Sequence, residues 1–425
     1  MKRITASRKM LGAALTLAWC LGAQAQAQVQ PGGNVESLLS LAREGNPDLA
    51  SMRYEADAAA ERITPAGALP DPKLRTELMD ITKGGSQSAA LSPSRVGSTR
   101  YTLMQDIPWF GKRDLKREIA ELEAEGAKGR AHGTWSEVAA KIKTTYAQLY
   151  YLSRNESLTK EILDLMVRLE KIAQVRYAGG LAAQQDVIRA QVEQTTMRNE
   201  LIAIETEHHH LMTRMNALLG RPATAPLAMP ESLRPLPAPA KLDYASLEER
   251  ARARNPLLSA DEHRIKAAEK NRDLAYKNRY PDLTVGVVPN QMQNEVKQWD
   301  LMFEINIPLQ QSSRRAQERE AEAMVSASRA KRDATSNQLL SDLVANLAEL
   351  EAARRTERLT ADSLLPQAEL TFKAALAGYE TGKVDFATLL DAQRQIRLAR
   401  LNQIKSRAEA QVRLAEIERI VGEDL

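Results

Sequence analysis

The chain is poor in cysteine and in aromatic residues. Away from its N-terminus it also lacks any apolar run long enough to cross a bilayer as a helix. Cys20 is the only cysteine, and Phe, Trp and Tyr together make up 4% of 425 residues. A single cysteine excludes a disulfide framework and a thiolate metal cage. A membrane helix needs about 20 consecutive apolar residues, so a crossing by the rest of the chain must be made by β-strands. There is no Gly-rich phosphate loop, no H-E-x-x-H and no nucleophile elbow. The expectation is therefore of a protein that is not an enzyme and carries no cofactor. No ATPase or proton-relay motif appears either, so any transport must be driven by a partner. The net charge is +4 and basic residues alternate with acidic ones, which excludes a nucleic-acid footprint.

What the chain does have is charge and helix formers. Charged residues reach 27%, and Ala, Leu, Glu, Arg and Gln favour long helices over a compact mixed core. The N-terminus reads as a signal peptide over residues 1–25. Lys2, Arg3, Arg8 and Lys9 precede an apolar stretch from Met10 to Leu21, and Ala-x-Ala cleavage signals place the cut near residues 25–27. Cys20 lies where a lipoprotein would be acylated, but Trp19 before it is too bulky for such a signal. Plain cleavage is the expectation.

The remainder repeats itself. Asn46-Pro47 and Asn255-Pro256 each open an Ala/Glu-rich helix. Pro70-Asp71 and Pro281-Asp282 follow, then strand-like hairpins at about 72–108 and 282–308, closed by Ile107-Pro108 and Ile307-Pro308. Each long helical stretch that comes next is broken by Tyr-x-x-Gly, at Tyr177–Gly180 and Tyr379–Gly382, and Ala190-Gln191 is matched by Ala392-Gln393. The expected organisation is a first repeat over residues 34–221, a Pro-rich linker over 222–240 and a second repeat over 241–425.

The helices carry narrow seams. Leu158, Ile162, Leu165, Leu169 and Ile172 alternate spacings of four and three, as do Met197, Leu201, Ile204, His208, Leu211, Met215 and Leu218, the pattern of a coiled coil. Gly126, Gly129 and Gly133 are expected to weaken or bend the first long helix. In the hairpins, Leu301, Phe303, Ile305 and Ile307 share one face, with Met302, Glu304 and Asn306 opposite; Tyr101, Leu103 and Ile107 do the same until Gln105 breaks the alternation. Strands with one apolar face suit a transmembrane barrel with a polar lumen. Four strands cannot close one, so several chains must contribute.

Together the signal peptide, the duplicated helix–hairpin–long-helix unit and the paired Tyr-x-x-Gly turns resemble the TolC family of outer-membrane efflux ducts. The junction Gln105 to Arg113 is similar to that of its CusC/CzcC-type heavy-metal branch. The resemblance implies a mainly α fold with a small β part. Duplicated coiled-coil helices form a trimeric periplasmic α-barrel, below a 12-stranded outer-membrane β-barrel that takes four strands from each chain. It implies a passive gated exit duct for heavy-metal cations, a homotrimer in outer-membrane lipid. Its partners are a periplasmic adaptor and an inner-membrane pump of the resistance-nodulation-division type. By position, Tyr177, Gly179, Gly180, Leu181, Tyr379, Gly382, Lys383 and Val384 would form the tips that meet the adaptor, and Asp391 and Asp186 would constrict the pore. A multidrug duct shares this architecture, and a pore-less periplasmic coiled-coil protein shares the helices. The run His208-His209-His210 cannot aim at one ion, since successive helical residues point about 100° apart. His208, Met212 and Met215 lie on one face, but on the seam, where methionine is ordinary packing. No metal site is expected.

Overall fold

The computed structural model describes residues 31–82, 89 and 91–425. The signal peptide and Cys20 fall outside them. The same series of elements occurs twice. The first runs α1 (Val35–Gly45), α2 (Pro47–Glu61), α3 (Ile63–Gly67), β1 (Lys73–Met79), β2 (Ser98–Ile107), α4 (Lys112–Ala178) and α5 (Gln184–Leu218). After an extended segment and a 3-10 turn at Pro239–Leu242 come α6 (Tyr244–Arg254), α7 (Pro256–Lys277), β3 (Leu283–Met292), β4 (Glu295–Ile305) and α8 (Gln311–Leu359). A π-helical turn at Thr360–Leu364 leads into α9 (Leu365–Glu380), and α10 (Phe386–Val421) follows.

The two Asn-Pro pairs do the same structural work. Asn46 caps α2 by accepting from Leu49 N at 2.8 Å, and its amide donates to the Leu218 carbonyl at 2.8 Å. Asn255 caps α7 through Leu257 N and Leu258 N, and its amide donates to the Ile420 carbonyl at 2.8 Å. Proline at the first helical position wastes no donor there. Each buried asparagine thus starts one helix and ties it to the end of another. Gly220 and Gly422 close α5 and α10 at φ +66° and +82°. A Cβ on Gly220 would fall 2.0 Å from the Gly45 carbonyl oxygen, so only glycine fits that crossing. Nearby, Glu418 on α10 is buried between Lys143 of α4 (2.7 Å) and Arg234 of the extended segment (2.9 Å), and Asp424 also pairs with Lys143.

Helix α4 is 67 residues long, about 100 Å at 1.5 Å per residue. The expected seams lie in the packing of α4 and α5: Leu158, Ile162 and Leu169 of α4 and Met197, Ile204, Leu211 and Met215 of α5 are buried. The expected weakening at the three glycines is not found, because α4 runs through them unbroken. They are instead where α7 comes close. A Cβ on Gly129 would stand 3.0 Å from Ala260 Cβ and 3.2 Å from the Pro256 carbonyl oxygen, and one on Gly133 would meet Leu257 Cδ2 at 2.9 Å. The break lies in the second half instead, at the π-helical turn before Pro366. Proline has no N–H to give the preceding turn, and a π turn absorbs the missing bond.

The four strands form one antiparallel sheet in the order β1-β2-β3-β4. Register places Leu74 opposite Leu103, Leu103 opposite Val287 and Val287 opposite Leu301. These three exposed leucines and one valine make an apolar row across the whole sheet, joined on β4 by exposed Trp299, Phe303 and Ile305. The other face is hydrogen-bonded and polar. Lys73 and Thr284 both donate to Asp106 at 2.7 Å, and Asn290 links Arg100 to Asp300. Ile307, expected within the last strand, lies beyond the end of β4.

Candidate functional site

The turns between the paired helices are built alike. At the first, Leu181 N donates to the Arg176 carbonyl (2.8 Å) and Gly180 N to the Tyr177 carbonyl (3.0 Å). At the second, Lys383 N donates to the Gly378 carbonyl (2.8 Å) and Gly382 N to the Tyr379 carbonyl (3.0 Å). Both are Schellman ends, and Gly180 and Gly382 supply the left-handed residue at φ +69° and +73°. Asp385 caps α10 by accepting from Thr388 N at 2.9 Å.

Matched backbones carry opposite side-chain arrangements. Tyr177 is 48% exposed, with Gly179, Gly180 and Leu181 also open to solvent, whereas Tyr379 is 2% exposed. Tyr379 packs against Phe386, its ring centroid 5.2 Å away. The Arg176 guanidinium lies over the Tyr379 ring, 5.0 Å from its centroid. Arg176 also donates to the carbonyls of Glu380 (2.6 Å) and Leu181 (3.2 Å). One arginine of the first turn therefore grips the second. Gly382 abuts Arg176 Nη2, at 3.3 Å from where a Cβ would stand, Lys383 is exposed, and Val384 packs on Gly378.

Asp186 and Asp391 have different surroundings. Half-buried Asp186 accepts from the Tyr379 hydroxyl at 3.4 Å, so it belongs to the link between the two turns. Burial, helped by the Asp186 charge, pushes the Tyr379 hydroxyl up to about 12, which keeps it a donor at neutral pH. Asp391 is exposed on α10, 3.8 Å from Arg394, and Arg394 also reaches Glu193 on α5 at 3.0 Å. Further from the turns, the amides of Gln174, Gln191 and Gln194 all donate to Glu170. Their hydrogen bonds hold its carboxyl below the usual range. Sequence reasoning missed Arg176. Its signal was a mismatch: the second repeat has Gly378 in the same place.

At the other end of α4, the junction motif is explained by its partners. Gly111 turns the chain at φ +77°. Buried Lys112 donates to Asp282 Oδ1 (2.8 Å) and to the Tyr280 carbonyl (2.9 Å), and Arg113 donates twice to the Gly67 carbonyl. Gln105, which broke the apolar alternation, donates to the Pro70 carbonyl at 2.6 Å. Trp109 stacks on Tyr280 at 5.3 Å beside exposed Phe110, the aromatic character of a membrane–water boundary.

The sequence profile of the family described as outer membrane efflux protein matches residues 38–221 and 247–423. The chain belongs to that family. It is an outer-membrane efflux protein. It is 25% identical over 394 residues to the cobalt-zinc-cadmium resistance protein CzcC of Cupriavidus metallidurans, covering 91% of this chain and 90% of that one. Its fold is shared with CusC (TM-score 0.79, 16% identity, 92% of each chain). It is shared equally with the outer membrane protein VceC of Vibrio cholerae (TM-score 0.78, 18% identity, 92% of this chain and 96% of that one). Among the described residues no helix is long and apolar enough to cross a membrane, and no group of three His, Cys, Asp or Glu residues could hold a metal ion.

Proposed function

We propose that three copies of this chain close one passive duct that carries heavy-metal cations out across the outer membrane. The observation that carries this reading is the sheet, which has one apolar face, one polar face and two free edges. A strand edge cannot be left open to lipid. β1 and β4 run in opposite directions, so β4 of one copy can pair antiparallel with β1 of the next, and three copies give 12 strands with no edge. The apolar row from Leu74 to Leu301 then faces lipid and the Asp106 and Asp300 networks face the lumen. The helices support the same assembly. Ile188, Val192, Thr195, Asn199 and Ile202 form a second four-three seam on α5, and it is exposed in the single chain. That seam suits a neighbouring copy.

Residues 34–221 and 241–425 act as two copies of one unit joined by the linker at 222–240. Exposed Tyr177, Gly180, Leu181 and Lys383 meet a periplasmic adaptor at the tip, since turns on rigid helices commonly carry binding. A pump of the resistance-nodulation-division type supplies the energy. Asp391 from three copies adds a ring of negative charge that favours cations. The cation cargo is supported by the similarity to CzcC. Cysteine substitution tests the assembly: Thr76→Cys combined with a cysteine scan along β4 should give disulfides between chains, and the detergent-extracted particle should contain three. A chain that extracts into water as a monomer would refute the duct. Loss of the chain should sensitise cells to zinc, cobalt or cadmium; sensitivity to organic toxicants alone would refute the cargo.

A further inference from the structure

The extended segment between the two repeats crosses α5, and there it brings a sulfur donor to a histidine. Nε2 of His208 lies 2.8 Å from Sδ of Met229. Met212 stands one helical turn from His208 on the same face of α5. It packs against the core cluster that also receives Leu227 of the crossing segment. The duct does not use these groups. They lie about 36 Å along α5 from its start at Gln184, at 1.5 Å per residue, far from the tip.

We propose that His208, Met229 and Met212 form a binding site for one soft monovalent cation, silver(I) or copper(I), per chain. Thioether is the donor that selects such soft ions and imidazole also binds copper, while magnesium, calcium and manganese favour carboxylate and carbonyl oxygens. The site draws on two elements, with His208 and Met212 on α5 and Met229 on the segment that joins the repeats. Both methionines are unbranched and flexible, so the two thioethers can adjust around an ion without moving the helix. The third methionine of the α5 face, Met215, is completely buried in the core and takes no part. His209 and His210 are exposed on other faces. An ion held here pins the linker to α5 and so stiffens the join between the two halves. The site is assigned from its own donors and does not depend on which substrate the duct exports.

The test is silver nitrate titrated calorimetrically, in chloride-free buffer, into the full-length protein in detergent. The variants are Met229→Leu, His208→Ala and the double variant His209→Ala/His210→Ala. Met229→Leu conserves volume and is expected to keep the fold, which circular dichroism checks. The expected result is one strong site per chain in the wild type and in the double variant. Met229→Leu and His208→Ala should each weaken that site at least tenfold. Silver should also raise the melting temperature of the wild type and not of Met229→Leu, since only a site in the folded chain couples binding to stability. Zinc(II) should not displace the silver. The proposal is overturned if silver does not bind stoichiometrically, if Met229→Leu binds as tightly as the wild type, or if only the double variant loses binding.

Discussion

If the tip opens by parting its two turns, the bond from the Tyr379 hydroxyl to Asp186 acts as a latch, and that hydroxyl is the smallest group whose removal tests it. Tyr379→Phe keeps the ring against Phe386 and under Arg176 and deletes the hydroxyl, with its bond to Asp186 and its polar contact with Arg176. A hydrogen bond of 3.4 Å is long for a hydroxyl donor, so the low end of the usual range applies, about 0.5–1 kcal/mol per chain. If three copies open together the losses add to about 1.5–3 kcal/mol, and since 1.4 kcal/mol is tenfold, the closed-to-open ratio should fall about 10- to 100-fold. Single-channel recording in planar bilayers measures this as the fraction of time spent open. The pH dependence has a defined sign. Folding raises the Tyr379 pKa from 10.0 to about 12. The contribution of this group is therefore complete below pH 10 and is lost as pH rises from there through about 12. Across the neutral range the latch should not respond to pH through Tyr379. An open fraction unchanged in Tyr379→Phe would refute the latch.

Asn46→Ala removes both a helix cap and a tie to α5, and should lower stability by about 2 kcal/mol, read as an earlier melt in detergent; Asn255→Ala should do the same at α7. Gly129→Ala meets a Cβ and a backbone carbonyl, and should destabilise by about 1–3 kcal/mol despite the better helix former. Gly133→Ala meets only the end of the Leu257 side chain and should be tolerated, so equal melting temperatures for the two would contradict the close crossing of α4 and α7. Asp391→Ala should raise conductance or weaken cation selectivity in a planar bilayer; no change in either removes Asp391 from the gate. Gln393 is fully buried with neither side-chain amide atom partnered. Gln393→Leu should stabilise the chain by about 1–2 kcal/mol, measured by thermal denaturation, and a loss of stability would mean that the amide has a partner in the assembled protein.

Periodic features were legible in the sequence because they obey local rules. The seams from Leu158 to Ile172 and from Met197 to Leu218 follow from spacing alone, and so do the alternating faces of β4. The Asn-Pro pairs were visible as a repeat, but not their reach to Leu218 and Ile420, because a tie across the fold leaves no local pattern. Gly126, Gly129 and Gly133 were misread for the same reason. Helix propensity argues for weakness, and only the approach of Pro256 and Ala260 shows why glycine is needed at Gly129. Gln105 looked like a fault in a strand until Pro70 supplied its acceptor.

The tip carries a further lesson, because its chemistry lies where the repeats part company. Arg176 has glycine as its counterpart in the second repeat, and that asymmetry lets one turn reach across to the other, where Gly382 leaves room for the guanidinium. Glu170 and Phe372 stand equally far before their tip tyrosines. The first gives Gln191 its partner; the second is apolar and packs into the tip core, and Gln393, the counterpart of Gln191, is left without one. One repeat thus holds its helix pair with satisfied polar bonds. The other packs Tyr379, Phe386 and Phe372 into an apolar cluster, buries the Gln393 amide without a partner among the described residues, and meets the first pair through the Tyr379 hydroxyl and through arginines such as Arg394 and Arg397. An unmade hydrogen bond in a buried site destabilises the packing that contains it. If the tip opens by parting the pairs, α9 and α10 are expected to be the ones that move, and among the described residues the π-helical turn at Thr360–Leu364 interrupts that pair alone.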